Sequence, residues 1–327
     1  GKNLIKILEA MIKDEKISYI SKLYKDLKYL YSSAPHNSKK TNLHKYLIKK
    51  KFSSQDAIQI SYDLQSGTYI EKSKKNKNIN VDKKVFKVFN NTLNENFKDI
   101  KSILDFGSGE LTRFNYIINY FKNKKNIKYF ACDISLNRLH LGKNYYEKSF
   151  KKKNIDLNLF VVDNFRLPLP DNSIDLVVSC HAIEPNRRNK EKIINELYRV
   201  SKKGLCLMEP HYEVASKNQK KRMDYHKYIK GIPKFFDKMK YSYKIITKNN
   251  HFNPDNPSSI FVIKKNIKNK NSKIDFINPI NKRNLKKIKN FLHCSFSGRL
   301  FPIFDGISIF SNNSLIFLPK PTKVKNK

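Results

Sequence analysis

The sequence predicts an α/β protein: a seven-stranded mixed sheet, largely parallel, with an N-terminal helical region and a small C-terminal module. Three observations lead there. Short apolar runs at 102–106, 128–133, 157–162, 174–180 and 204–209 alternate with amphipathic segments at about 112–122, 136–149 and 189–201, the pattern of crossovers on a parallel sheet. Two further runs, Y-S-Y-K-I-I-T (241–247) and S-I-F-V-I-K-K (259–265), flank the turn-rich H-F-N-P-D-N-P-S (251–258) and read as an antiparallel pair at one edge. Aspartates at 105, 133 and 163 stand where three successive apolar runs stop.

Residues 1–60 alternate apolar and lysine-rich positions at roughly helical spacing, broken by the turn S-S-A-P-H-N-S (32–38), and read as two or three helices. The stretch 61–71 places Tyr62 and Tyr69 on either side of Gly67, before a lysine-rich loop at 72–80. A helix from about Lys84 to Phe97 then leads into the sheet. The lysine/asparagine run at 264–273 reads as a linker, and 274–320 as a module rich in Phe, Ile and Pro. The expected division is therefore 1–98, a helical region; 99–268, the α/β core; and 269–327, the C-terminal module.

At 327 residues the chain has room for a full α/β core with appendages, and 39% hydrophobic beside 29% charged residues describes a soluble protein. A net charge of +39 invites a polyphosphate partner. Yet only nine of the 67 basic residues are arginine, and lysine is spread evenly with asparagine and isoleucine, which fits AT-rich codon usage and solvated lysine faces better than a dedicated nucleic-acid surface. Cysteines 132, 180, 206 and 294 stand far apart, three of them within apolar runs, and suggest neither a disulfide framework nor a zinc site. No apolar run reaches the roughly 20 residues that cross a bilayer, and the expected location is cytoplasmic.

The first functional anchor is S-I-L-D-F-G-S-G-E (102–110). Gly107 and Gly109 let the chain turn tightly between strand and helix, at the end of the sheet where open parallel sheets bind ligands. Asp133 follows Gly109 by 24 residues, with Ile134 beside it, at the spacing of a carboxylate that accepts ribose hydroxyls. Asp163 offers an acceptor for an adenine amino group. Both aspartates also suit a helix N-cap. Together they point to an adenosine-containing cofactor.

At these residues the sequence resembles the class I S-adenosylmethionine-dependent methyltransferases, over roughly 60–265 and with their Rossmann-like fold. Their first motif reads acid-x-G-x-G-x-G; D-F-G-S-G-E-L (105–111) matches it except that Leu111 stands for the last glycine. The resemblance implies S-adenosyl-L-methionine as cofactor, with Asp105 near the methionine ammonium, Asp133 on the ribose, Asp163 and Asn164 at the adenine, and Ser179 to His181 facing the methyl donor. It further implies that the N-terminal region forms a helical cap, to which Tyr62 and Tyr69 belong. A sulfonium cofactor in so basic a chain calls for a locally acidic pocket, and Asp105, Glu110, Asp133, Asp163 and Glu184 are expected to converge there.

On the acceptor side, His181 stands just past the fourth strand, with a reference pKa near 6.5 that suits a general base. Glu184 and Asn186 share its loop. M-E-P-H-Y-E (208–213) ends the fifth strand with Glu209, His211, Tyr212 and Glu213, and His181, Glu184 and His211 are the candidate catalytic groups. Arg222 and His226, four apart, suit an anion clamp or a solvated helix face. The NPxNP turn at 253–257, with S-C-H-A-I-E-P-N and E-P-H-Y-E, resembles bacterial enzymes that modify surface polysaccharides or small metabolites. The expected reaction is O-methylation of a small anionic metabolite or a sugar-like precursor. The alternatives are an RNA methyltransferase using the lysine surface and a scaffold that kept only the fold. S-C-H-A stands where amino-methylating nucleic-acid enzymes carry an acid/Asn-P-P-aromatic motif, which demotes nucleic acid as the acceptor.

Residues 276–310 resemble the small Trm112-like domain, usually a zinc ribbon. Asn278 and Asn281 occupy its first cysteine pair and Ser297 replaces the mate of Cys294, so no tetrahedral zinc site is expected. Phe296, Leu300, Phe301, Ile303, Ile307 and Phe310 are expected to hold the module by packing, docked on the methyltransferase domain or on a second subunit of a homodimer.

Overall fold

The computed structural model describes residues 48–49, 53–121, 126–162, 165–247, 256–265, 267, 274–311 and 316–317. The helices expected before residue 48, the Asp163 carboxylate, the Asn164 amide and residues 251–255 of the turn expected at 251–258 lie outside the described residues. The chain divides into two compact units, residues 1–65 and 66–327. In the first, helix α1 (Ser54–Leu64) starts on Ser53, whose hydroxyl accepts from the Asp56 N–H at 3.1 Å, and it carries Tyr62.

The second unit begins with a short helix α2 (Thr68–Ser73) and a long helix α3 (Asn76–Asn96). The segment expected as a loop at 72–80 is thus helical from Asn76 onward, eight residues before Lys84. A run of lysine and asparagine lowers helix propensity without forbidding a helix whose later turns bury Phe86, Phe89 and Leu93. The sheet follows: β1 (Ser102–Phe106), α4 (Phe114–Phe121), β2 (Lys128–Asp133), α5 (Leu136–Lys152), β3 (Asp156–Val161), β4 (Ile174–Cys180), α6 (Lys190–Val200) and β5 (Ser201–Pro210). Helices α7 (Lys217–Tyr225) and α8 (Ile232–Lys238) then lead to β6 (Ser242–Ile246) and β7 (Ser258–Lys264).

These seven strands lie in the order 3-2-1-4-5-7-6, parallel except for β7, which runs antiparallel to both β5 and β6. The edge pair expected from the sequence is there. Alternation along the strands fills both faces. Ile103 packs with Phe89, Phe114 and Leu139 on one side, whereas Leu104 joins Ile194, Leu197 and Phe236 on the other. Each fully buried phenylalanine contributes roughly 1.5–3 kcal/mol by leaving water.

The sheet does not stop at seven strands. Strands β8 (Lys286–Ile288), β9 (Phe291–His293), β10 (Arg299–Phe304) and β11 (Ile307–Ile309) extend it past β3, giving eleven along one path, with β12 (Ile316–Phe317) paired to β10. The junction is β11, which lies parallel to β3 in the register Ser308↔Phe160 and Ile309↔Val161. An open β3 edge would present unpaired N–H and C=O groups, and β11 satisfies them. Phe310 then packs on Phe160, Phe276 and Phe301.

The turn between β10 and β11 is also anchored. Asp305 meets Lys143 of α5 at 2.8 Å, with His140 at 3.3 Å. Leu300, Phe301, Ile307 and Phe310 are buried as expected, but Phe296 is 72% exposed, with Arg283 over its ring at 5.2 Å. It sits on the tight turn between β9 and β10, where only one side of the chain can face the core. Cys294 is buried among Asn278, Asn281 and Ser297, with the Asn281 amide donating to its sulfur at 3.7 Å.

Candidate active site

The turn after β1 brings three acidic side chains together, each with a different task. Gly107 and Ser108 donate their N–H groups to the Cys132 carbonyl at the end of β2, both at 2.9 Å, folding the turn back on the sheet. Gly107 has a φ of +73°, and a Cβ there would meet the Ala182 Cβ at 2.1 Å. Glycine therefore keeps a narrow passage open between the turn and the end of β4. Leu111, where the motif has its third glycine, adopts φ +60° all the same. Its backbone keeps the left-handed conformation that the glycine would have eased, at a cost of about 1 kcal/mol, while its side chain is wholly buried in the core.

Asp133 fastens this turn to the next one. Its carboxylate accepts from the Gly109 N–H at 2.8 Å with one oxygen and from the Ser135 N–H at 2.9 Å with the other. Each oxygen retains a lone pair, as a ribose diol requires. Asp105 accepts from the Ser108 hydroxyl at 2.6 Å. Burial pushes the Asp105 carboxyl up to about 7, with Asp133 adding to the rise, against the lowering pull of Ser108 and Arg113. A buried carboxyl so poised is stabilised as the anion by a cation brought beside it. Glu110 is spent differently, on the N–H groups of Gly67 and Ile70.

Arginines bridge the turn to the rest of the crevice. Arg138 of α5 lies over the Tyr69 ring at 4.7 Å, and Arg113 lies over the same ring at 6.0 Å while donating to the Cys180 carbonyl at 3.0 Å. Burial works to lower the Arg113 pKa, but Cys180, Tyr69, Asp82 and Glu184 around it raise it on balance. Asp82, on α3, was not singled out in the sequence, because nothing local distinguishes it from a solvated helix position.

At the end of β4, His181 is held from two sides. Its Nδ1 lies 2.7 Å from Glu184 Oε2 and its Nε2 lies 3.0 Å from the Ser258 hydroxyl at the start of β7. A carboxylate only accepts, so Nδ1 carries a proton; the Ser258 hydroxyl at Nε2 also lies 3.1 Å from the Asn256 carbonyl, to which it can donate. Glu184 is itself fixed by Asn256, whose amide donates to Oε1 at 2.8 Å. His181 adopts φ +56°, a backbone cost met by its N–H donating to the Met208 carbonyl at 2.9 Å. Tyr228 also borders Glu184, and burial pushes its hydroxyl up to about 12.

The remaining expected residues fall outside this cluster or play supporting parts. Ser179 is fully buried and donates to Glu209 at 2.7 Å. Glu209 is equally buried and also accepts from the N–H groups of Ala182 at 3.0 Å, Ile183 at 3.1 Å and Glu184 at 3.2 Å. It holds the shape of the loop that carries His181. His211 pairs with Ser259 at 2.8 Å, and burial lowers its pKa. Arg222 and His226 both face the Tyr228 ring, at 5.8 and 5.2 Å. Ile134 follows Asp133 at the β2 end, and Tyr62 lies in the first unit.

By sequence, residues 104–208 match a family described as the methyltransferase domain. The matched segment, about a third of the chain, includes the glycine turn, Asp105, Asp133 and the His181 loop. No curated protein matches the chain by sequence. Among solved structures, a methyltransferase from Aquifex aeolicus is similar at 15% identity, covering 56% of this chain and 89% of that one, with a TM-score of 0.39. The methyltransferase domain of bacterial CtHen1-C is similar at 15% identity, covering 57% of this chain and all of that one, with a TM-score of 0.44. A Haemonchus contortus phosphoethanolamine N-methyltransferase is similar at 15% identity, covering 54% of this chain and 52% of that one, with a TM-score of 0.38.

The residues present fit S-adenosylmethionine, the cofactor that the sequence resemblance implies. The passage at Gly107, the unspent lone pairs of Asp133 and a buried Asp105 awaiting a cation are the features that an adenosyl sulfonium with a methionine ammonium would use. Among the described residues no helix is long and apolar enough to cross a membrane.

Proposed function

We propose that the enzyme methylates a hydroxyl oxygen of a small anionic metabolite or a sugar-like precursor of a surface polysaccharide, in the cytoplasm. The observation that supports this reading best is the clasp on His181, with Glu184 on Nδ1 and Ser258 on Nε2 at the end of β4. S-adenosylmethionine supplies an electrophilic methyl group when bound. A neutral hydroxyl must lose its proton as it attacks, and an imidazole whose Nδ1 is held by a carboxylate is suited to take it at Nε2 once the acceptor hydroxyl replaces Ser258 there. Glu184 then pairs with the resulting imidazolium. Asp105, Gly107, Gly109, Asp133 and Ile134 hold the cofactor in this reading, with Asp163 and Asn164 at the adenine, and Tyr69 covers it. The nearby cations Arg113 and Arg222 favour an anionic acceptor. His211, locked to Ser259, serves as a wall of the acceptor side. The C-terminal strands are in this view a Trm112-like module in which Asn278, Asn281 and Ser297 have taken the places of zinc ligands around Cys294.

The test is release of S-adenosylhomocysteine from S-adenosylmethionine with a panel of hydroxylated acceptors, in pairs with and without a carboxylate or phosphate. Turnover is expected with anionic members of the panel, and His181→Asn is expected to cut it by roughly a hundredfold or more while leaving cofactor affinity unchanged. Equal turnover by His181→Asn contradicts the base. Methylation of RNA that collapses as salt is raised, with none of the small acceptors, would favour the rival drawn from the charge of +39.

A further inference from the structure

Glu110 is the acid of the glycine turn that the cofactor reading leaves without a role, and its surroundings define one. The side chain is fully buried and reaches back 43 residues to accept from the Gly67 N–H at 3.0 Å, and 40 residues to accept from the Ile70 N–H at 2.7 Å. Gly67 is the N-cap of α2 and Ile70 its third residue, positions whose N–H groups have no acceptor within the helix. Arg138 Nε stands 3.6 Å from the same carboxylate.

The segment so held carries Tyr69. The Tyr69 ring meets Arg138, whose guanidinium fills the space beside Gly109, and Arg113, whose guanidinium reaches the carbonyl of Cys180 at the end of β4. Tyr69 therefore lies between an arginine packed on the glycine turn and one that reaches the end of β4. At the far end of α2, the Ser73 hydroxyl donates to the Ile70 carbonyl at 2.7 Å and meets Tyr146 of α5, while the carboxylate of Glu110 fastens the near end. Gly67 itself has φ +91° with open space where a Cβ would stand, a hinge-like start for the segment.

We propose that Glu110 is a positioning residue for the cofactor: it ties segment 67–73 to the glycine turn, so that Tyr69 is held across the crevice only while that turn has its binding shape. The inference rests on the cofactor assignment and not on the identity of the acceptor. Its chemistry is one anion shared between a helix start and a guanidinium, so replacing the carboxylate by an amide turns an NH2 group toward an N–H or toward Arg138.

The experiment uses S-adenosylhomocysteine as probe on the full chain. Binding by the unaltered protein comes first; its absence would refute the cofactor assignment itself. Given binding, Glu110→Gln is expected to weaken it about tenfold, the loss of one hydrogen bond to a charged group. It should also speed hydrogen exchange at the amides of Gly67 and Ile70, while the amides of β1 and β4 stay protected. Tyr69→Ala should weaken binding to a similar degree without speeding exchange at Gly67, and the two changes together should cost little more than either alone. Affinity within twofold of the unaltered protein in Glu110→Gln, or additive losses in the double variant, would overturn the proposal. A general loss of protection across the sheet would do so too, by showing Glu110 to be a stability residue.

Discussion

Asp133→Ala is expected to abolish measurable binding of S-adenosylhomocysteine, a loss of at least a hundredfold, while the sheet remains folded. The carboxylate has two tasks at once: it fastens the glycine turn through Gly109 and the start of α5 through Ser135, and it offers its remaining lone pairs to the crevice. Removal leaves two N–H groups without their acceptor, at roughly 1–3 kcal/mol each where water cannot replace it, and removes the acceptor proposed for the ribose. Asp133→Asn separates the two tasks. The amide oxygen can keep one of the N–H groups, so the turn should survive better than in the alanine variant, while binding is still reduced by tenfold or more. Calorimetric titration together with thermal unfolding checks both; an alanine variant that binds like the unaltered protein removes Asp133 from the site.

The second large effect is on stability. Glu209→Ala leaves the Ser179 hydroxyl and the N–H groups of Ala182, Ile183 and Glu184 without an acceptor in a place closed to solvent. A loss of about 3–5 kcal/mol is expected from such a deletion, read as a lower urea midpoint. Glu209→Gln retains one acceptor oxygen and should lose clearly less. The loop it shapes carries His181 and Glu184, so the alanine variant should also be inactive in methyl transfer even at temperatures where it stays folded. A loss below about 1 kcal/mol would mean that the loop after β4 holds its shape by packing alone.

The sequence made the strand ends visible because each apolar run stops on a polar residue: Asp105, Asp133, His181 and Glu209 are all found at the end of the sheet where they were expected. It did not reveal which of those groups face the ligand. Glu209 reads like a functional acid and is instead a buried bracket, since burial depends on the side from which four donors 25 to 30 residues away approach. Ser258 and Asn256 complete the histidine cluster across 77 and 72 residues, beyond the reach of any local pattern. Glu110 was grouped with the cofactor acids by its place in the motif, whereas the helix start that uses it lies more than 40 residues upstream. The extension of the sheet was hidden for a similar reason. β11 is three residues long and pairs with a strand nearly 150 positions earlier, so periodicity gives it no signal. Leu111 shows the reverse: the sequence departs from the glycine pattern, yet the backbone keeps it.

The central claim is that the acids around the glycine turn bind the adenosyl cofactor, with Asp105 as the partner of its cationic end. Burial holds the Asp105 carboxyl at about 7, above its ordinary value, so the free protein binds this proton more tightly than the unfolded chain does. Its contribution to stability is therefore present below the ordinary carboxylate range and is lost as pH rises through about 7. A ligand ammonium placed beside it reverses the preference and expels the proton. Calorimetric titration of S-adenosylhomocysteine at pH 6 and pH 8, in buffers of different ionisation enthalpy, measures this directly. The predicted result is one-to-one binding at both values, roughly tenfold weaker at pH 6 and accompanied there by release of close to one proton, which Asp105→Asn abolishes. No binding at either pH, or binding of equal strength with no proton released, would contradict it.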